Sequence, residues 1–218
     1  MKFKEQFYLV LSGIFIASLV TCNLIANKFV SVQTILREEP FILSAGILPY
    51  PVTFLITDLL SEFYGRKRTA IVVFTGFVAS ILIIIVLNLG AVFDAIEESP
   101  VSNEMYASVF GNSWRVIGAS MLAYIIAQLV DVQLYEFWKK RTKGKMLWLR
   151  NNGSTMVSQF VDTVTVTFVF LYGNEAVFAG STEQLWTMVA QVYLIKMAIA
   201  VVDTPFCYAG VWLLRKIS

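Results

Sequence analysis

Residues 188–212 read MVAQVYLIKMAIAVVDTPFCYAGVW. Lys196 stands in the middle of this apolar run, and Asp203 follows seven residues later on the same helical face, with Pro205 just beyond. Ionisable side chains at bilayer depth cost several kcal/mol, so they are rare there and face partners or a water-filled cavity. The stretch predicts a membrane-spanning helix whose charges bind or move something polar.

The rest of the chain has the same character. Of 218 residues, 57% are hydrophobic and 15% charged, against about a quarter charged in a soluble domain. Mean hydropathy is +0.70. The apolar residues fall in long blocks joined by short polar connectors, the longest from about residue 91 to 113, which is the membrane pattern. No connector has room for a nucleotide-hydrolysing domain, and no GxxxxGK[ST] loop occurs. Histidine is absent, which removes the commonest general base and metal ligand. Cys22 and Cys207 both lie in apolar segments, against a disulfide framework. Lys2 and Lys4 precede an apolar run from Phe7 to about Ala26, too long for a signal-peptide core and without an A-x-A site.

The expected fold is an all-α integral membrane protein, a bundle of roughly six helices each near the length needed to span hydrocarbon. They are placed at about 7–30, 41–61, 68–91, 114–136, 155–172 and 185–214, in a single membrane domain over 1–218. Pro49 and Pro51 interrupt the second, so residues 41–48 are expected to form a separate turn before a helix starting near Pro51. Pro205 is the expected kink in the last. The connectors alternate in charge. One side carries Lys2, Lys4, Arg66-Lys67-Arg68, the run from Lys139 to Arg150, and Arg215-Lys216. The other carries Glu38, Glu39, Asp94, Glu97, Glu98, Glu104, Glu175 and Glu183, opposed only by Arg37 and Arg115. The positive-inside rule then puts both termini in the cytoplasm of a multi-pass protein. The basic run from Lys139 reads as a topology signal touching anionic headgroups, not as a nucleic-acid site.

With that orientation, depth follows from a rise of about 1.5 Å per residue. Asp58 and Glu62 share a face near the inner end of the second helix, and Gln128 and Asp131 a face of the fourth. Ser158, Gln159, Asp162 and Thr163 lie in the inner part of the fifth. Lys196 is near the midplane of the sixth, with Asp203 further inward. Asn23 and Asn27 lie on one face in the outer half of the first. Each has a plainer explanation. Hydroxyls bond their own helix, Asn23 and Asn27 can tie helices together, and Glu62 and Asp131 can form interfacial ion pairs. An Asp–Lys pair can be purely structural. Lys196 and Asp203 are about 10 Å apart along the helix, too far for a direct bond, so each needs a partner elsewhere. Among the aromatics, Trp114, Trp138, Trp148 and Trp212 fit an interfacial belt. Tyr50, Phe54, Phe160, Tyr193 and Phe206 lie deeper, beside the polar groups, where one or two could stack on a flat ligand. A split of the helices three and three gives halves of inverted topology, as in many transporters.

The segment Leu48-Pro49-Tyr50-Pro51-Val52-Thr53-Phe54-Leu55-Ile56-Thr57-Asp58-Leu59-Leu60-Ser61-Glu62-Phe63-Tyr64-Gly65 resembles the signature of the queuosine precursor transporter family, also called VUT or YhhQ-type. Asn23-Leu24-Ile25-Ala26-Asn27-Lys28 resembles its first-helix motif, Ser158-Gln159-Phe160-Val161-Asp162-Thr163 its fifth, and Lys196 with Asp203-Thr204-Pro205 its last. The resemblance implies an importer of queuosine precursors for tRNA queuosine salvage. The substrate would be 7-cyano- or 7-aminomethyl-7-deazaguanine or queuine, carried across the bacterial cytoplasmic (inner) membrane by secondary transport. It implies no enzyme activity, cofactor or metal. The expected partners are the deazaguanine base and the lipid bilayer, with room for a homodimer and no nucleic acid.

A guanine-like edge offers adjacent N–H donors and a carbonyl acceptor, which a carboxylate and an amide or ammonium can serve. On that chemistry Asp162 or Asp58 takes the donor edge, Gln159, Asn23 or Asn27 completes the hydrogen bonds, and Tyr50, Phe54, Phe160 or Tyr193 stacks on the ring. Lys196 balances the carboxylates or meets the carbonyl. Glu62, Asp131 and Asp203 are the expected gating or coupling residues. The competing expectation is a substrate-capture subunit of an ATP-driven vitamin importer. An intramembrane enzyme is disfavoured, since no Ser or Cys has an evident base.

Overall fold

The computed structural model describes residues 3–33, 40–142, 147–173, 175 and 178–217. Among these the chain is helical, apart from two strands: α1 (Phe3–Leu24), β1 (Phe29–Val32), β2 (Phe41–Ser44), a 3-10 turn (Ala45–Ile47), α2 (Tyr50–Gly90), α3 (Asn103–Phe110), α4 (Ser113–Arg141), α5 (Leu147–Leu171) and α6 (Thr182–Ile217). The strands form a two-stranded sheet. The helix expected from residue 41 is therefore preceded by a strand and the 3-10 turn, and α2 begins at Tyr50 with proline in its first turn, where a missing N–H costs nothing. Residues 29–30, assigned to the end of the first helix from sequence, are extended.

Among the described residues, two helices are long and apolar enough to cross a membrane, Lys4–Leu24 with mean hydropathy 1.9 and Lys67–Gly90 with 3.0. Ala45–Thr57 and Met156–Leu171 are shorter apolar helices. The two long ones turn most of their apolar surface outward: Leu9, Ile71, Phe74, Ile85 and Leu89 are all more than half exposed. Aqueous solution would penalise such faces, whereas hydrocarbon does not. Their hydroxyls are satisfied within the helix, as Ser12 donates to the Tyr8 carbonyl, Thr75 to Ile71 and Ser80 to Gly76.

The described residues divide into two compact units, one of residues 1–31, 44–117 and 199–218, the other of 32–43 and 118–198. In the first, the chain reverses twice. The Ser44 hydroxyl donates to the Ala26 carbonyl at 2.7 Å, and the Ala45 N–H to Lys28 at 2.7 Å, so α2 starts at the C-terminal end of α1. The Tyr64 hydroxyl donates to the Lys4 carbonyl at 2.7 Å, so residues 50–64 return to the N-terminal end. Gly65, at φ 78° and ψ 161°, then breaks the helix. That region is essentially closed to residues with a Cβ. Beyond it Arg68 pairs with Glu5 at 3.1 Å, the Tyr8 hydroxyl donates to the Arg68 carbonyl, and Gly76 faces Phe15 and Leu19. Residues 66–90 thus run alongside α1 in the same direction. The close approach needs Gly76, where a Cβ would sit 2.8 Å from Leu19 Cδ2. Leu11, Phe15, Ile56, Leu59, Leu60, Val72 and Val73 form the buried seam.

In the second unit, α5 and α6 run antiparallel, with Phe168 against Trp186 at 5.1 Å and Phe160 against Tyr193 at 5.4 Å between ring centroids. Ala119, Ala123 and Ala127 are buried at four-residue spacing on α4. Such a small-residue stripe allows close backbone approach in apolar surroundings.

Candidate functional site

The second unit holds a buried ion pair. Lys196 Nζ donates to Asp162 Oδ2 at 2.7 Å, with side chains 6% and 19% exposed. Asp162 lies in the middle of α5 and Lys196 in the middle of α6, so a charge-assisted bond joins the two helices at mid-length. The lysine is nearly enclosed, and its carboxylate partner somewhat more open. Asp203, its neighbour in sequence, lies about two turns along the same helix, and the bond goes to another helix, as the rise per residue requires.

Around the pair the environment is mixed. Tyr193 precedes Lys196 by three residues and shares its face; its hydroxyl donates to the Met156 carbonyl at 3.2 Å. Phe160 meets the Tyr193 ring edge-on, at 81° between planes, and is 42% exposed. Phe160 and Asp162 are two residues apart, so their side chains diverge by about 200° around α5. Tyr193 is the aromatic that accompanies the charges, and Phe160 buttresses it from the side. Gln159 is half-buried, and its carbonyl accepts from the Thr163 hydroxyl at 2.8 Å. Ser158, Thr163 and Thr167 are buried on the same helix; the Thr163 hydroxyl is satisfied by its own backbone, the plain role open to it from sequence.

Gln191 was not foreseen. It is 7% exposed, and its side-chain carbonyl accepts the Ile42 N–H of β2 at 3.2 Å. The signal was present: a polar residue in the apolar stretch that holds Lys196, five positions before it. Gln191 binds strand backbone, a structural use of a buried amide.

Asn23, Asn27 and Tyr50 belong to the first unit. Asn23 is buried and Tyr50 half-buried, its carbonyl accepting from the Thr53 hydroxyl. Asn27 is tied elsewhere: its amide donates to the Val109 carbonyl of α3 at 2.7 Å. Its Oδ1 and the Ser113 hydroxyl are buried with no hydrogen-bond partner among the described residues. The side chains of Phe54, Asp58, Glu62, Asp131 and Asp203 lie outside the described residues, although the backbone of each is helical. Among the described residues, no group of three or more His, Cys, Asp or Glu could hold a metal ion.

Apolar helices of membrane-spanning length in the first unit, and a charged pair joining two helices in the second, are the pattern of a membrane protein. The family described as putative vitamin uptake transporter matches residues 44–210, and the chain belongs to it. That span includes the 48–65 and 158–163 motifs and Lys196, and leaves Asn23 and Asn27 outside. The chain is 32% identical over 189 residues, 85% of its length and 80% of the relative's, to a probable queuosine precursor transporter of Bacillus subtilis (strain 168). It is 23% identical over 158 residues, 72% of its length and 67% of the relative's, to a queuosine precursor transporter of Escherichia coli (strain K12). No solved structure matches it. The chain is a transporter, not an enzyme.

Proposed function

We propose that this chain imports queuosine precursors, 7-cyano- or 7-aminomethyl-7-deazaguanine or queuine, and that Asp162 and Lys196 recognise the base. The names of both relatives support the substrate class. The observation that carries the site is the 2.7 Å pair itself. A carboxylate accepts two parallel N–H donors, which matches the N1–H and 2-amino edge of a deazaguanine, and an ammonium donates to the adjacent carbonyl. In the empty protein each charge satisfies the other. An entering base replaces one ionic hydrogen bond by several across its own edge, so neither charge is left unpaired at depth. Tyr193 offers a ring beside the edge, and Gln159 a further amide. Phe160 stands beside Tyr193 in this proposal; Asn23, Asn27, Tyr50, Phe54 and Asp58 are further proposed substrate contacts, and Glu62, Asp131 and Asp203 the proposed gating or coupling residues.

The bundle of six helices with both termini in the cytoplasm, acting as a single membrane domain, belongs to this proposal, as does secondary transport without a dedicated ATPase. The test is uptake of labelled deazaguanine and queuine by the purified chain in liposomes, alongside queuosine recovery in tRNA of cells unable to make it. Uptake is expected without any partner protein. Asp162→Asn and Lys196→Met are each expected to lower it at least tenfold while the protein still reaches the membrane. Normal uptake by both variants removes the site, and uptake only with an added ATPase assigns the chain to an ATP-driven importer.

A further inference from the structure

By sequence, residues from about 91 to 113 are a connector. They form a compact element with two faces. The Asn103 amide donates to Asp94 Oδ1 at 3.0 Å, and Asn103 Oδ1 accepts the Ala95 N–H at 3.0 Å. This clamp closes the loop onto the start of α3. The Ser102 hydroxyl caps that helix by accepting the Met105 N–H at 3.3 Å, a standard N-cap bond. Tyr106 and Phe110, one turn apart, form the inner face: their rings are 4.9 Å apart, and the Tyr106 hydroxyl donates to the Leu87 carbonyl at 3.0 Å. The Val109 carbonyl is held by Asn27. The element is thereby fixed to the ends of both apolar helices, at the end remote from Lys4 and Arg68.

The outer surface is open and carries apolar side chains among Asp94, Glu97 and Glu98. Val92, Phe93 and Ile96 are 74%, 70% and 71% exposed. Val101, Met105 and Val109 continue the surface at four-residue spacing, each about half exposed, and Trp114 is exposed beyond them. So much outward-facing apolar surface on a self-braced loop marks a contact surface. Its occupant is indicated by continuity. The surface begins two residues after Gly90, the last residue of the apolar helix Lys67–Gly90, whose exposed side Ile81, Leu82, Ile85, Val86 and Leu89 leads directly to it. The bond to Leu87 keeps α3 at the level of that helix's last turn. An exposed apolar surface at this level, with acidic side chains beside it, has the mixed character of the membrane interface.

We infer that residues 92–114 are an interfacial anchor, seated in the lipid headgroup boundary at the end of the apolar helices remote from the N terminus. The inference rests on the membrane reading of those helices. The neighbouring charges Asp94, Glu97, Glu98 and Glu104 are acidic, so the seating depends on apolar contact with neutral lipid rather than on attraction to anionic headgroups. Because Asn27 and Leu87 hold the same element, the bilayer fixes the ends of α1 and α2 through it.

The test uses nitroxide labels on single cysteines, in full-length protein with Cys22 and Cys207 replaced by Ser, in nanodiscs of neutral lipid. Collision with oxygen, which concentrates in lipid, is compared with collision with a water-soluble nickel chelate. Phe93→Cys, Ile96→Cys, Met105→Cys and Val109→Cys are expected to favour oxygen several-fold over Glu97→Cys, and to lie shallower than Phe74→Cys and Ile81→Cys. If the first four match Glu97→Cys while Phe74→Cys and Ile81→Cys stay in lipid, the anchor is overturned and the membrane reading stands. If Phe74→Cys and Ile81→Cys are also in water, both fall. Protection of the four from oxygen and nickel alike, with spin–spin broadening, assigns the surface to a second copy of the chain and overturns the lipid anchor.

Discussion

At the residue scale, the question is what each member of the Asp162–Lys196 pair does when its partner is missing. Removing one partner of a buried pair leaves an uncompensated charge, at about 3–5 kcal/mol, whereas replacing both by apolar groups is often neutral. The two sides differ, because the lysine side chain is 6% exposed and the aspartate 19%. Asp162→Asn removes the counter-charge of the more enclosed member and is expected to lower thermal stability in detergent more than Lys196→Met. Asp162→Leu combined with Lys196→Met is expected to recover most of the loss without recovering uptake. Melting curves of the three variants check this; equal stability throughout would mean the pair bears no load. This partnership was half legible in the sequence. A lone lysine in an apolar run demands a counter-charge, and helix rise excludes Asp203 as a direct partner, but Asp58 and Asp162 remained equivalent. Spacing within one helix carries no information about which other helix lies opposite. Gln191 was missed for a related reason, since its partner is backbone 149 residues away.

At the element scale, Gly65 determines how α2 is used. Residues 50–64 and 66–90 lie along α1 in opposite directions, and the reversal passes through one residue at φ 78°. A Cβ there would meet no atom within 4 Å, so the demand is purely conformational. Gly65→Ala is expected to cost about 1–3 kcal/mol, measured as a lower melting temperature, with no loss of packing. Gly76→Ala probes the opposite case, a crowded site in an ordinary helix. The same turn holds a pH-sensitive contact. Tyr64 donates to the Lys4 carbonyl, and its hydroxyl is pushed above its ordinary value, chiefly by burial and then by the Glu5 carboxylate, with Arg68 opposing. A raised value in the folded state contributes stability that is complete below the ordinary tyrosine value of about 10 and is lost as pH rises through the folded value. Melting temperature is therefore expected to fall across that alkaline window, and Tyr64→Phe to flatten the fall. The sequence marked this turn through Gly65 and the following basic cluster. It did not mark α3, because eight residues are too few for a period to stand out, and Val92, Phe93 and Ile96 precede it among acidic residues.

At the scale of the whole molecule, charge and geometry separate the two ends of the first unit. Lys4, Glu5, Tyr64 and Arg68 meet at one end; Asn27, Leu87, Tyr106 and Val109 meet at the other, beside the acidic loop. Two crossings by α1 and residues 66–90, with a return through residues 50–64, place an odd number of passages between the N terminus and Glu97. If the unit lies in a bilayer, these two ends are on opposite sides of it, whatever the remaining helices do. The charge rule then assigns the basic end to the cytoplasm. An impermeant maleimide is expected to label Glu97→Cys in intact cells, and to label Lys140→Cys only after the membrane is opened. Labelling of Lys140→Cys from outside together with Glu97→Cys from inside would invert the orientation while keeping the fold. Labelling of both from one side would require an even number of crossings between them. A flat polar ring entering hydrocarbon must find its donors and acceptors matched by the protein, and the charged pair joining α5 and α6 offers both kinds of partner at one place.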